Sequence, residues 1–260
     1  YRAHDESDEH TLFTNVTLVE PSKESVRSYK EGEEFDRSVK IVGVDSNPDG
    51  GFVASIDLKK EQVTSLERLP NEAQAAYSFA EVGLATVLTK QNKEYQDALK
   101  KRDVTNLELV QIDPWPAGGV VHKSIKPGHR AMKTISFLKE NETDNAYAKP
   151  IQGVISHVDL TLKEVTCVED VGVVPVPKAH ARYDAESQSE FREQPKPIEI
   201  TQPEGADFEV EGNQNGWDGY QLKASIHPVE SPVVDQISLN EGPICHGASL
   251  SDVVVRYGSA

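Results

Sequence analysis

Hydrophobic and polar residues alternate through the first part of the chain with the period of two that is typical of β-strands. In the first segment, Leu12, Val16 and Leu18 fall on one face, and Asn15 and Thr17 fall on the other. The same pattern recurs three more times along this part of the chain. The segments predict four strands of a small antiparallel sheet: residues 11–20, 38–44, 52–58 and 61–69.

The period changes to steps of three and four residues between positions 73 and 101, which is typical of an amphipathic helix. Gly83 lies inside this stretch, where a glycine costs about 1 kcal/mol relative to an alanine. Asn92 is a residue type that often caps a helix. We therefore expect one helix, a break near Asn92, and a second, shorter helix.

Strand patterns return after the predicted helices. Four more strands are expected at residues 107–112, 131–139, 151–160 and 164–169. One helix region with four strands makes a layered unit, whereas the segment before it has four strands and no helix. The pattern therefore predicts an α+β fold with two units of one architecture, the first of which lacks its helix.

The patterns and the composition divide the chain into five parts. Residues 1–10 are polar and are expected to form a disordered leader. Residues 11–70 and 71–171 are the two units, and residues 172–205, rich in proline and charge, are a linker. Alternation resumes in residues 206–260, which we expect to be the first two or three strands of an incomplete third domain.

Charge and hydropathy exclude several classes of function. The net charge of −16 argues against binding to nucleic acid or anionic lipid, because both depend on clustered Lys and Arg. No run of about 18 apolar residues occurs, so we expect no membrane span. Cys167 and Cys245 form neither a disulfide framework nor a zinc pattern, which leaves a single bridge or two reduced thiols. Since no signal peptide is visible, we expect an intracellular protein, cytoplasmic or peroxisomal.

The eight histidines show no spacing that would point two imidazoles at one metal ion. His157 and His227 lie in strand patterns and are interpreted as ordinary residues, and the adjacent Cys245 and His246 would point to opposite faces of a strand. No nucleophile elbow, phosphate-binding loop or dinucleotide fingerprint occurs. The sequence therefore predicts no catalytic residue and no metal site in this chain.

One aromatic residue stands between two prolines, in the sequence Pro114-Trp115-Pro116. Because each proline fixes its own φ, we expect a rigid loop at a strand end that holds Trp115 in place. Such a Trp is suited to contacting an apolar ligand or a neighbouring subunit. The other interpretation is a Trp that fills a gap between two sheets.

Several segments, in chain order, resemble the copper amine oxidase family. Residues 112–118, IDPWPAG, are similar to its DPW-AG loop, and residues 144–150, DNAYAKP, to its DN-YA-P segment. Residues 197–205, PIEITQPEG, resemble the P-ITQPEG entry to its catalytic β-sandwich and are the most specific match. Residues 16–23 and 248–258 resemble two further strands of the family. The resemblance extends over nearly the whole chain.

This resemblance implies two cystatin-like domains, each a helix on an antiparallel sheet, followed by the first strands of a large β-sandwich that forms a homodimer. The family oxidises small primary amines to aldehydes and releases ammonia and hydrogen peroxide. It uses Cu²⁺ held by three histidines, topaquinone made from a tyrosine, and an aspartate base. These residues lie beyond the position that matches Gly258, so we expect an N-terminal piece that binds neither cofactor and is inactive alone. Tyr147 does not match the quinone tyrosine, because Ala146 separates it from Asn145.

The resemblance also implies a role for three positions of this chain. In the family, the substrate channel runs beside the third domain. The segment matching Pro114 and Trp115 contributes to its wall, and the helix position matching Val82 borders it. The alternative to an enzyme piece is a non-catalytic cystatin-like binding or scaffold module. Against that alternative, the Gln-x-Val-x-Gly hairpin typical of cystatin inhibitors does not occur.

Overall fold

The computed structural model describes residues 1–5, 7–45, 51–70, 73–178 and 182–250. In this part of the chain, strands β1 to β4 form the first sheet, in the order β1-β2-β3-β4. The strands are β1 (Leu12–Leu18), β2 (Ser38–Val44), β3 (Gly51–Asp57) and β4 (Gln62–Arg68). All four predicted strands are confirmed. The sequence Asn47-Pro48-Asp49-Gly50-Gly51 predicts a turn between the second and third strands, but residues 47–50 lie outside the described residues.

The core of the first sheet lies on a different face of β1 from the one that the alternation indicates. Phe13 packs against the buried residues Ile41, Phe52 and Ala54. Val16, which shares the predicted apolar face of β1, is instead 50% exposed. The aromatic side chain of Phe13 thus marks the inward face of β1, since an aromatic ring offers a large apolar area for burial.

Residues 1–10, expected to be a disordered leader, contain hydrogen-bonded turns in their described part and contact the sheet. The Tyr1 ring stacks on Phe52 with 4.7 Å between the ring centroids and 5° between the planes. It also meets Phe13 edge-on at 5.8 Å. The leader therefore supplies the first sheet with an aromatic cover that its polar composition does not indicate.

A short helix that the sequence analysis did not predict, α1 (Lys23–Ser28), follows β1. The Ser22 side chain accepts a hydrogen bond from the Ser25 amide and so caps the helix start. None of its residues is buried. The helix thus adds no apolar cover.

Two further helices, α2 (Phe79–Gln91) and α3 (Lys93–Lys100), confirm the expected break. Asn92 ends α2 and caps α3, and its side-chain oxygen accepts a hydrogen bond from the Tyr95 amide. Ser78 and Glu81 form a capping box at the start of α2. This box explains why the helix begins at Phe79 and not near residue 73.

The second sheet is antiparallel with the order β5-β6-β7-β8. Its strands are β5 (Val110–Pro116), β6 (Ala131–Leu138), β7 (Val154–Asp159) and β8 (Glu164–Asp170). Helices α2 and α3 pack against one face. Tyr95 and Leu99 of α3 join Val110, Ile112 and Val154 in one core cluster, and Ala85 of α2 joins Met132 and Val158 in another.

The expectation of a rigid loop at Pro114-Trp115-Pro116 is wrong, because β5 continues through Pro116. Trp115 pairs with Lys133, and the Ala117 amide donates to the Ala131 carbonyl. By alternation, the two prolines lie at positions whose nitrogens face away from β6. Strand β5 is an edge strand, so the missing proline donors break no ladder hydrogen bond.

The last part of the chain forms a third sheet, antiparallel in the order β13-β12-β11-β10-β9. Its strands are β9 (Phe208–Glu211), β10 (Gln214–Trp217), β11 (Tyr220–His227), β12 (Ser231–Leu239) and β13 (Gly242–Ser249). Five strands are present where two or three were expected, and none of their residues is buried. Most of the segment 248–258 lies outside the described residues.

Candidate functional site

The two faces of the second sheet have different surroundings. Thr134 on β6 lies 3.3 Å from the hydroxyl of Thr89 in α2, and Ser136 lies 2.6 Å from that of Tyr95 in α3. We call this the helix face. Because side chains alternate along a strand, Lys133 points to the opposite face, which we call the site face.

A row of four paired residues crosses the site face from edge to edge. Trp115 on β5 pairs with Lys133 on β6, Lys133 pairs with His157 on β7, and His157 pairs with Cys167 on β8. Residues directly opposite each other in an antiparallel pair share a face. The site face therefore carries an aromatic residue, a cation, an imidazole and a thiol in one line.

The three channel candidates lie on both faces of the sheet. Pro114 pairs with Thr134 and so belongs to the helix face, and Val82 of α2 packs against the core cluster of that face. Trp115 belongs to the site face and is 55% exposed. Among the described residues, this exposure favours the contact interpretation over a Trp that fills a gap between two sheets. Val82 and Pro114 share a side of the sheet, and Trp115 lies on the other.

An acidic and aromatic group lies beside Trp115 on the site face. Asp113, two residues before Trp115, pairs with Ile135, and Gln111 pairs with Phe137. The Tyr147 ring meets Phe137 edge-on with 4.9 Å between centroids. A hydrogen bond to the Asp113 carboxylate, together with the charge of that carboxylate, raises the pKa of the exposed Tyr147 hydroxyl. This group offers a carboxylate and aromatic rings, which is chemistry suited to a cationic ligand.

The structure brings together two histidines and a glutamate that are far apart in the sequence. His122 comes from the segment between β5 and β6, His157 from β7 and Glu169 from β8. Oε1 of Glu169 is 3.2 Å from Nε2 of His157 and 3.8 Å from Nε2 of His122. The two imidazole rings stack with 4.4 Å between centroids and 24° between planes. We call these three residues the His–Glu cluster.

Burial and nearby positive charge lower the pKa of His157. Desolvation is the main cause that lowers its pKa, and the nearby His122 and Lys133 act in the same direction. The Glu169 carboxylate opposes them. A neutral imidazole has a free nitrogen lone pair, which is the form that ligates metal ions.

Sequence reasoning missed the His–Glu cluster because its members come from one loop and two strands. Their separations along the chain match no metal-binding motif. The one available signal was His157 and Glu169 on neighbouring predicted strands, but the register that aligns them depends on the bulge between His157 and Val158. The segment that carries His122 had no predicted structure.

Comparisons with known proteins give one consistent result. Residues 80–188 match the family model described as the copper amine oxidase N3 domain. The chain is 34% identical over 250 residues to a primary amine oxidase of Arthrobacter sp., covering 95% of this chain and 38% of that protein. It is 30% identical over 257 residues to a histamine oxidase of Arthrobacter globiformis, covering 96% of this chain and 37% of that protein.

A solved structure shares the fold of the chain. The copper-containing benzylamine oxidase from Hansenula polymorpha matches with a TM-score of 0.74 and 15% identity, over 94% of this chain and 40% of that chain. The chain thus spans well under half the length of the relatives that it matches. No helix in the described ranges is long and apolar enough to cross a bilayer.

Proposed function

Since the chain belongs to the copper amine oxidase family, we propose that the protein containing it oxidises small primary amines to aldehydes, with release of ammonia and hydrogen peroxide. The observation that carries the proposal is the 34% identity to a primary amine oxidase over 95% of this chain. The match includes the second sheet, its two helices and the segment that leads to the third sheet. The two sheets with their helices would be the cystatin-like domains, and the α+β description applies to them.

We place the copper and the topaquinone of that reaction outside the described residues. The family resemblance implies three histidines around the copper, whereas the His–Glu cluster has two histidines and one carboxylate. Tyr147 lies in a 3₁₀ turn, where its hydroxyl interacts with Asp113. These residues do not fit the copper and quinone centre, and we assign no step of the oxidation to them.

The proposed contribution of this chain is a wall of the substrate route. Trp115 is half exposed on the site face, next to Asp113, and can meet an incoming amine directly. Val82 and Pro114 lie on the helix face of the same sheet, where packing fixes the strand that carries Trp115. Trp115 would therefore determine which amines pass. Val82 and Pro114 would position it, in a protein that acts as a homodimer.

The proposed location is intracellular, either cytoplasmic or peroxisomal. The observation in favour is the similarity to the peroxisomal copper-containing diamine oxidase 1 of Nicotiana tabacum, 29% identical over 199 residues. A fluorescent fusion of the whole protein tests this. Signal outside the cell or at its surface would contradict it.

Hydrogen peroxide released on addition of amine tests the proposed activity. The whole protein, expressed with copper, should release peroxide with methylamine, benzylamine or histamine and should give a quinone redox stain. This 260-residue chain should give neither. Absence of both signals in the copper-loaded whole protein would contradict the proposed reaction. Amine oxidation by the chain alone would contradict the placement of the catalytic centre.

A further inference from the structure

We propose that the His–Glu cluster is a binding site for one divalent transition-metal ion, with Nε2 of His122, Nε2 of His157 and the carboxylate of Glu169 as ligands. The three ligand atoms lie within 4.8 Å of one another. A tetrahedral zinc ion with bonds of about 2.0–2.1 Å holds its ligand atoms about 3.3 Å apart. The distances of 3.2 and 3.8 Å from Glu169 to the two nitrogens are close to that value. Two imidazoles and one carboxylate form a ligand set that suits zinc and its neighbours in the first transition row.

An unsatisfied buried nitrogen is an independent indication of a ligand. Nε2 of His157 is shielded from solvent and has no hydrogen-bond partner among the described residues. The Glu169 carboxylate lies 3.2 Å from it, at ion-pair distance. His157 is only 9% exposed. A buried polar atom without a partner is costly, and a metal ion at this point would remove that cost.

A chain of hydroxyl groups can orient the second imidazole. The Thr166 hydroxyl donates to the His157 carbonyl at 3.3 Å, and the Ser124 hydroxyl lies 2.8 Å from that of Thr166. When the Ser124 hydroxyl donates its proton to the Thr166 oxygen, the Ser124 oxygen can accept a hydrogen bond from Nδ1 of His122, 2.7 Å away. This leaves Nε2 of His122 with a free lone pair, in the way that outer residues commonly fix metal-binding histidines.

Two features of the cluster oppose the binding of a metal ion. The Ser124 amide also approaches Nδ1 of His122 at 3.2 Å, which favours the other tautomer in the metal-free protein. Lys133 neighbours His157 on the site face and repels a cation. The Glu169 side chain, 38% exposed, supplies a negative charge and reaches solvent. Water can complete the coordination.

The ion would connect a loop to the sheet. His122 lies in the segment between β5 and β6, whereas His157 and Glu169 lie on β7 and β8. Metal binding would therefore restrain this segment, which follows Trp115 directly. The site is independent of amine oxidation, and copper is also expected to bind there. For that reason a quinone stain, and not copper content, distinguishes this site from the catalytic centre.

Calorimetric titration of the chelator-treated chain with zinc chloride tests the proposal. We expect one saturable ion per chain and slower amide exchange in the segment around His122 once zinc is bound. His122→Ala and Glu169→Gln should each weaken zinc binding at least about tenfold, and Ser124→Ala should do so by less. His10→Ala is the matched control, because His10 also lies beside a glutamate but is exposed and outside the cluster, and it should leave affinity unchanged.

Three results of these titrations would contradict the proposed site. Absence of saturable zinc binding, or equal binding by the wild type, His122→Ala and Glu169→Gln, would overturn it. So would calcium binding as tight as zinc binding, because calcium prefers oxygen ligands and would indicate simple capture by carboxylates. Circular dichroism identifies a variant that fails to fold. Glu169→Gln, at a partly exposed side chain, then decides the question.

Discussion

The second sheet has two helices packed against one of its faces, whereas the helix that lies between the strands of the first sheet in the described chain, α1, is short and buries no residue. The first sheet instead uses the ring of Tyr1 to cover Phe52. Its buried apolar core consists of Ile41, Phe52 and Ala54. The second sheet buries two clusters that include Tyr95 and Leu99 from the helices. The same four-stranded arrangement is therefore covered by two packed helices in the second unit and by the ring of Tyr1 in the first, a difference that we call the thin cover of the first sheet.

This difference explains why the candidate site lies on the second sheet. Helices α2 and α3 hold the helix face, so the opposite face can carry polar and aromatic residues without loss of the core. Trp115 and His157 both belong to that second face. In the first sheet, the inward face packs against Tyr1 of the leader. A firmly supported sheet is better suited to hold side chains in fixed positions.

The largest expected effect concerns a buried ion pair that connects α2 to the second sheet. Arg130 donates to both carboxylate oxygens of Glu81, at 2.6 and 3.1 Å, and also to the carbonyls of Ala75 and Ala76. Arg130→Met leaves the Glu81 charge buried without its cation, so the free energy of unfolding should fall by about 3–5 kcal/mol. Urea unfolding measures it.

The exposed pair between Lys93 and Asp97 in α3 provides the control for Arg130. Lys93→Met should cost less than about 1 kcal/mol, because exposed ion pairs contribute little. Equal losses for Arg130→Met and Lys93→Met would contradict the view that burial makes the Arg130 pair costly to break.

The next effect is a loss of stability at high pH that arises from the second unit. Burial raises the pKa of Tyr95 to about 12 from its ordinary value of 10.0. The folded state thus keeps the proton that the unfolded state releases. Below pH 10 the ionisation of Tyr95 does not affect the free energy of unfolding. Above pH 10 that free energy falls by about 1.4 kcal/mol per pH unit until about pH 12, a total of about 2.7 kcal/mol.

Unfolding measured between pH 9 and 11.5 tests the role of Tyr95. Tyr95→Phe should flatten most of the decline, at a cost of about 1 kcal/mol below pH 10 for the lost hydrogen bond to Ser136. A smaller decline should remain, because burial also raises the pKa of Tyr77. An unchanged slope in Tyr95→Phe would assign the effect to other groups.

A smaller effect is expected on the stability of the first sheet. Residues 11–69 should exchange amide hydrogens faster than residues 73–170, and the chain should tend to self-associate. Tyr1→Ala removes the cover of Phe52 and should destabilise the first sheet by about 1–2 kcal/mol. Exchange should accelerate in β3 and stay unchanged in β6. Tyr29→Ala is the control, because Tyr29 is 46% exposed and its ring meets that of Phe35, which is also exposed.

A monomeric sample in which residues 11–69 are as protected as residues 73–170 would contradict the thin-cover description. Equal acceleration by Tyr1→Ala and Tyr29→Ala would show that the stacked ring has no special role. Acceleration of β6 by Tyr1→Ala would mean that the two sheets do not unfold separately.

Local patterns predicted most of the elements, and tertiary contacts account for what they missed. Strand β2 has the predicted bounds, and Asn92 separates two helices as its capping chemistry indicated. The inward face of β1 was misjudged, because Phe13, which lies opposite the three aliphatic residues, is the one that packs against the buried cluster. Strand β5 was predicted to end before its prolines, since an edge position cannot be recognised before the sheet order is known.

The candidate site was harder to predict than the fold. Trp115 was identified by its flanking prolines and by family resemblance, but its face became clear only from the pairing of Trp115 with Lys133. The His–Glu cluster depends on a loop and a bulge, neither of which leaves a periodic signal. Contacts between residues distant in sequence carry the information that the pattern lacks.

The selectivity of the whole protein after Trp115→Ala tests the central claim, that the site face of the second sheet contacts the amine. Trp217→Ala is the matched control, since Trp217 is 54% exposed, against 55% for Trp115, but lies in the third sheet. We predict that Trp115→Ala changes the ratio of kcat/KM for benzylamine and methylamine at least about tenfold, equal to about 1.4 kcal/mol. Its stability should change by less than about 1 kcal/mol, and Trp217→Ala should leave the ratio unchanged. An unchanged ratio in Trp115→Ala, with a stability loss of about 3–5 kcal/mol, would show instead that Trp115 is a buried packing residue and would contradict the claim.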